Sequence, residues 1–124
     1  MATNQWPDFT TMKKPKTIRS VIIDEGGGIS ERTRGAIVFQ VASSAHGSGG
    51  FVHQCYLSVV KAAYQYPLLR VVQNDLGYPV TVVADPVPDG TRAKNEKELR
   101  EQLGLVFQSD ITTRIVIQLL DMVS

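Results

Sequence analysis

Apolar positions recur at two different periods along the chain, and the change from one to the other divides it. Over residues 36–42, Ile37, Phe39 and Val41 fall on one side and Val38, Gln40 and Ala42 on the other, the period of two expected of a strand. Residues 51–60 repeat the pattern, with Phe51, His53, Cys55, Leu57 and Val59 opposite Val52, Gln54, Tyr56 and Ser58. Two Tyr-Pro pairs, Tyr66-Pro67 and Tyr78-Pro79, then each open an apolar run, over 68–72 and 80–83, with Asn74-Asp75-Leu76-Gly77 between. Runs joined by so short a turn are antiparallel neighbours, and proline is tolerated where a strand begins. The β-branched stretch 17–23 predicts one more strand at the front. The result is a five-stranded meander, with Gly26-Gly27-Gly28 as a hairpin loop and residues 61–64 as a bulge or turn.

Asp85-Pro86-Val87-Pro88-Asp89-Gly90 is predicted to end the strand series, since two prolines and a glycine suit neither regular element. Past it the period becomes helical. Asn95 with Glu98 resembles a capping box, and Leu99, Leu103, Val106 and Phe107 share one helical face. Ser109 or Asp110 caps a second helix from near Ile111. Around that helix Ile111, Ile115, Val116, Ile117, Leu119, Leu120, Met122 and Val123 cover well over half of the circumference, with Arg114, Gln118 and Asp121 as a polar strip. A surface helix ordinarily carries an apolar stripe of roughly 100°. The excess must face the sheet, another helix or another subunit.

Residues 1–16 are polar, carry Pro7 and Pro15, and read as an extended arm that Trp6 and Phe9 dock on the body. Residues 17–124 read as a single α+β domain, an antiparallel meander sheet of about five strands with two C-terminal helices packed on one face. A length of 124 residues agrees with one core.

Composition narrows the function classes. Thirteen basic and twelve acidic side chains give a net charge of +1, so no overall field draws in nucleic acid or an anionic membrane. The single cysteine, Cys55, excludes an internal disulfide and a cysteine-rich zinc site. The first residues lack the continuous apolar stretch of a signal peptide, and no run approaches the roughly 18 residues of a membrane span. A cytoplasmic protein is expected.

Candidate chemistry is sparse. The glycine triplet lacks both a following helix N-terminus and a Lys-Ser or Lys-Thr pair, and Asp24-Glu25 would repel phosphate. As adjacent strand residues, Asp24 and Glu25 would also point to opposite faces. Gly47-Ser48-Gly49 has the wrong frame for a nucleophile elbow. His53 and Cys55, two apart on one strand, project together and are the candidate pair for metal binding or thiol–imidazole chemistry. Further ligands would have to come from His46, Asp24 or Asp85, at no recognised metal-site spacing. Lys13, Lys14, Lys16 and Arg19, joined by Arg32 and Arg34 across a first hairpin, form a basic cluster. Arg70 stands alone in an apolar run and reads as a snorkelling side chain.

The function these patterns favour is a non-catalytic interaction module, self-associating through Ile111, Ile115, Val116, Leu119, Leu120 and Val123 of the last helix. The expected partner is a second copy or another protein, with no cofactor, no metal and no membrane. The alternatives are a small metal-binding or thiol-dependent enzyme using His53 and Cys55, and a nucleic-acid accessory protein using the basic arm.

Overall fold

The computed structural model describes residues 5–11, 16–47, 49–84 and 87–123. In chain order the elements are α1 (Ile18–Gly26), α2 (Ile29–Arg32), β1 (Ile37–His46), β2 (Gly50–Val59), β3 (Tyr64–Gln73), β4 (Val80–Ala84), β5 (Val87–Ala93), α3 (Glu96–Phe107) and α4 (Asp110–Asp121). The five strands form one antiparallel sheet in the order β1-β2-β3-β4-β5. The fold is α+β.

Two strand assignments change while their total does not. Residues 17–23, expected as a strand, form helix α1. Thr17 caps it by accepting a hydrogen bond from the Ser20 amide at 3.1 Å, and Ile18, Val21, Ile22 and Gly26 turn inward at helical spacing. Capping and a buried stripe together outweigh the β preference of the branched side chains. The Gly26-Gly27-Gly28 segment is therefore the join between α1 and α2, not a hairpin loop. At the other end, the Pro-rich stretch expected to end the strands contributes β5. Gly90 makes this possible: a Cβ there would strike methyl groups of Thr81 and Val83 on the neighbouring strand. Asp85 and Pro86 lie outside the described residues.

The Tyr-Pro hairpin is present as β3–β4, but Pro67 lies within β3, not at its start. There the β2–β3 register shifts between Cys55 and Tyr56, leaving Leu68 as the extra residue. Strand β4 pairs with β3 only from Leu69 to Gln73. Pro67 thus falls where β3 has a single neighbour, and its missing donor costs little.

Strand pairing sets Ile37, Cys55, Leu57, Val59, Leu69, Val71, Val80, Val82, Ala84 and Ala93 on one face, and all are buried. Helix α1 packs against α3 and β1, and α3 packs against β4 and β5. Their side chains Val21, Ile22, Leu99 and Leu103 complete the core. Arg100 of α3 ties the helices together, reaching Glu25 at 2.8 Å and Asp24 at 3.5 Å on α1 while bonding Glu96 at 3.0 Å in its own helix. Asp24 and Glu25 are thus helix-end carboxylates that share a cationic partner, not adjacent strand residues pointing to opposite faces. A variant of the capping box forms: Asn95 accepts from the Glu98 amide at 2.9 Å, and the Glu98 carboxylate accepts from the amide of Lys94, one residue before the cap, at 2.9 Å.

Of the arm, residues 5–11 hold neither helix nor strand, and Trp6 and Phe9 are exposed with ring centroids 6.4 Å apart. The rest of residues 1–15, including Lys13 and Lys14, lies outside the described residues.

Gly50 opens β2 under tight constraint, since a Cβ there would overlap the Gln73 carbonyl oxygen and sit 2.9 Å from that of His46. Backbone cannot yield as a side chain does. Gly50→Ala is expected to lower stability by about 1–3 kcal/mol in urea unfolding. Gly28→Ala, at an open position with φ of −67°, is expected to stay within about 0.5 kcal/mol of the parent protein.

Candidate functional site

Helix α4 is the element least absorbed by the fold. Ser109 caps it by accepting from the Thr112 amide at 3.2 Å, and the Thr112 hydroxyl reaches back to the Val106 carbonyl at 2.6 Å. These bonds fix how α4 leaves α3, with a bend of 56° between them. Only Thr112 and Leu119 of the helix are buried. Leu119 belongs to the protein's own core, with Ile115, Val116, Leu120 and Val123 half-buried against it. Ile111 remains 40% exposed. Ile117 and Met122, outside the expected interface set, are more exposed still, at 60% and 51%.

The inward-facing side of α4 does not close fully onto the sheet. Between α4, the α1–α2 join and the sheet lies a groove of about 340 Å³. Ile29, Phe39, Leu57, Phe107 and Val116 line it, with Ile117 on the α4 side. Phe39 and Phe107 meet edge-to-face within it, centroids 5.6 Å apart at 84°, the arrangement ring quadrupoles favour. Gly26 permits the close approach of α1, because a Cβ there would enter the Phe39 ring. An exposed apolar helix edge and an apolar groove therefore share one continuous surface.

His53 and Cys55 do lie on one face of β2, as their spacing predicts, and both are buried. Their side chains do not pair with each other. The imidazole is held across the strands: Nδ1 lies 2.7 Å from the Ser43 hydroxyl on β1, and Nε2 lies 2.8 Å from the Gln73 amide oxygen on β3. A carbonyl oxygen only accepts, so Nε2 donates to Gln73; in the neutral ring Nδ1 then accepts from Ser43. The Ser43 oxygen in turn accepts from the Arg19 guanidinium at 2.8 Å. The Cys55 thiol points instead to the His53 backbone carbonyl, 3.8 Å away. Burial pushes its pKa up to about 12, only partly opposed by the Arg19 charge. Such a thiol stays protonated at neutral pH and is a poor nucleophile or metal ligand. Among the described residues no three His, Cys, Asp or Glu side chains are placed to share a metal ion.

The partners of His53 escaped sequence reasoning. Ser43 and Gln73 meet it only through strand register, and Arg19 reaches Ser43 only through the helical course of residues 18–26. Of the basic cluster, Lys13 and Lys14 lie outside the described residues, while Lys16 and Arg19 line one cleft. With no first hairpin, Lys16 lies 3.9 Å from Glu96, Arg19 turns to Ser43, and Arg32 and Arg34 are exposed elsewhere.

No protein-family model matches the chain, and no curated protein or solved structure matches it either. No single helix among the described residues is long and apolar enough to cross a membrane.

The raised Cys55 pKa makes stability depend on pH. The unfolded thiol ionises near pH 9 while the folded one holds its proton to about 12. Above pH 9 the unfolded state binds fewer protons, so Cys55 makes stability fall as pH rises towards 12. At pH 8, alkylation of native Cys55 by iodoacetamide is expected to run at least about a hundredfold slower than in urea-unfolded protein. Rapid labelling of the folded protein would show an accessible thiolate that the structure does not contain.

Proposed function

We propose that the protein is a non-catalytic interaction module that self-associates through α4. One observation carries the reading: Ile117 stands 60% exposed on the margin of an apolar groove of about 340 Å³. A knob and a hole side by side suit a two-fold contact, in which each copy's knob enters the other's hole. Charge supports a second copy as the occupant. Pairing two α4 helices antiparallel about an axis between Ile117 and Gln118 sets Arg114 of each copy opposite Asp121 of the other. Both residues are exposed and lie two turns apart on the same side of the helix.

The energetics follow from the same residues. Burying Ile117 from its present exposure contributes roughly 1–2 kcal/mol per copy, and exposed ion pairs add about 0–1 kcal/mol each. The apolar contact therefore supplies affinity, while the charges choose antiparallel register. Residence in the cytoplasm is part of the same reading, since a lone protonated thiol suits a reducing compartment.

Sedimentation equilibrium is expected to show a monomer–dimer equilibrium that Ile117→Glu shifts to monomer without changing the far-UV spectrum or the urea midpoint. Arg114→Asp should weaken the dimer, and adding Asp121→Arg should restore it. A parent protein that stays monomeric throughout, or an Ile117→Glu variant that dimerises as well as the parent, contradicts the reading.

A further inference from the structure

A second concavity, remote from α4, lies between the N-terminal turn of α1, the ends of β1 to β3 and the β3–β4 loop. Its volume is about 490 Å³, within the range of sites that hold small organic molecules. No residue of α4 lines it. Its floor is the hydrogen-bonded set Ser43, His53 and Gln73, and its walls include the aromatic rings of Phe51 and Tyr78. Phe51 is stacked on the His53 imidazole, centroids 6.1 Å apart at 25°, yet keeps 38% of its surface exposed. An ordered aromatic face is thus left open to the cleft.

The charge of the cleft has one sign. Among the described residues Lys16 and Arg19 line it, and no carboxylate does. Lys16 is offset by Glu96 at 3.9 Å. Arg19 spends one N–H on the Ser43 hydroxyl, and among the described residues no carboxylate pairs with it. The remaining guanidinium donors form a planar fork that matches a carboxylate. Gln73 adds a second donor: its side-chain oxygen is committed to His53, which leaves its NH₂ to serve an anion in the cleft. One uncompensated cation favours a monoanion over a dianion, and the open ring faces favour a flat apolar body.

We infer that this cleft is a binding site for a small aromatic carboxylate, its anionic group held by Arg19 and Gln73 and its ring laid against Phe51. Neither the dimer nor any residue of α4 enters the argument, so the site stands or falls separately from self-association.

The test is an amide NMR titration of the full chain with 3-phenylpropionate, alongside 3-phenylpropanol and phenyl phosphate as neutral and dianionic controls. Saturable shifts are expected in the first turn of α1, at Ser43 and Phe51, and over residues 74–78, with a dissociation constant near or below about 1 mM. Arg19→Gln, at an exposed position, should weaken binding at least about tenfold with the spectrum otherwise preserved. Phe51→Ser should weaken the carboxylate while leaving any acetate binding unchanged. The inference is overturned if no saturable shift occurs by roughly 20 mM, if Arg19→Gln binds as well as the parent, or if either control binds as tightly as the carboxylate.

Discussion

One apolar sheet face and the two helices that fill it govern everything else in this molecule. The strand residues from Ile37 to Ala93 offer a surface that α1 and α3 cover jointly, with Ile22, Leu99 and Leu103 fully buried. Arg100, bridging Glu25 and Glu96, fixes how those helices lie together. The two carboxylates also raise the already high pKa of its guanidinium, Glu25 through the larger effect. Once α1 occupies its share of the sheet, α4 has only a margin left. It anchors Leu119 in the core and leaves Ile117 and Met122 outside.

That division of the sheet separates two regions with different physics. Around α4 the surface is apolar and shaped by a gap, so the strength of any contact follows from area removed from water. At the opposite end of α1 the surface is polar and organised by a relay from Arg19 through Ser43 and His53 to Gln73. No fully buried side-chain nitrogen or oxygen among the described residues lacks a partner. Satisfied networks hold their members in one arrangement, which keeps Phe51 and Arg19 in place. Cys55 sits beside this network without joining it, as a small apolar core residue.

Much of this architecture could be read from residue order, and the exceptions have particular causes. Strands β1 and β2, the hairpin over Pro79, the caps at Asn95 and Ser109, and the surplus apolar surface of α4 all rest on local signals. Helix α1 was hidden because Ile18, Val21, Ile22 and Ile23 suit a strand by propensity, while the stripe that decides against it spans only nine residues. Strand β5 was hidden because Pro88 and Gly90 break strands in general. This strand is an edge, where proline is tolerated, and the glycine makes room for Thr81 and Val83. At the site, helical periodicity located the apolar surface but not its division. Which of Leu119 and Ile117 turns inward depends on the bend at Ser109, a tertiary feature. The His53 partners depend on cross-strand register, which no local pattern encodes.

Amide hydrogen exchange, followed over a dilution series, tests most directly whether α4 is the part of the fold that a second copy completes. The account predicts that protection of residues 113–121 rises with protein concentration while that of α1, α3 and the central strands does not. Protection of α4 that is independent of concentration and equal to that of α3 would contradict it, because the helix would then be fully stabilised by its own chain.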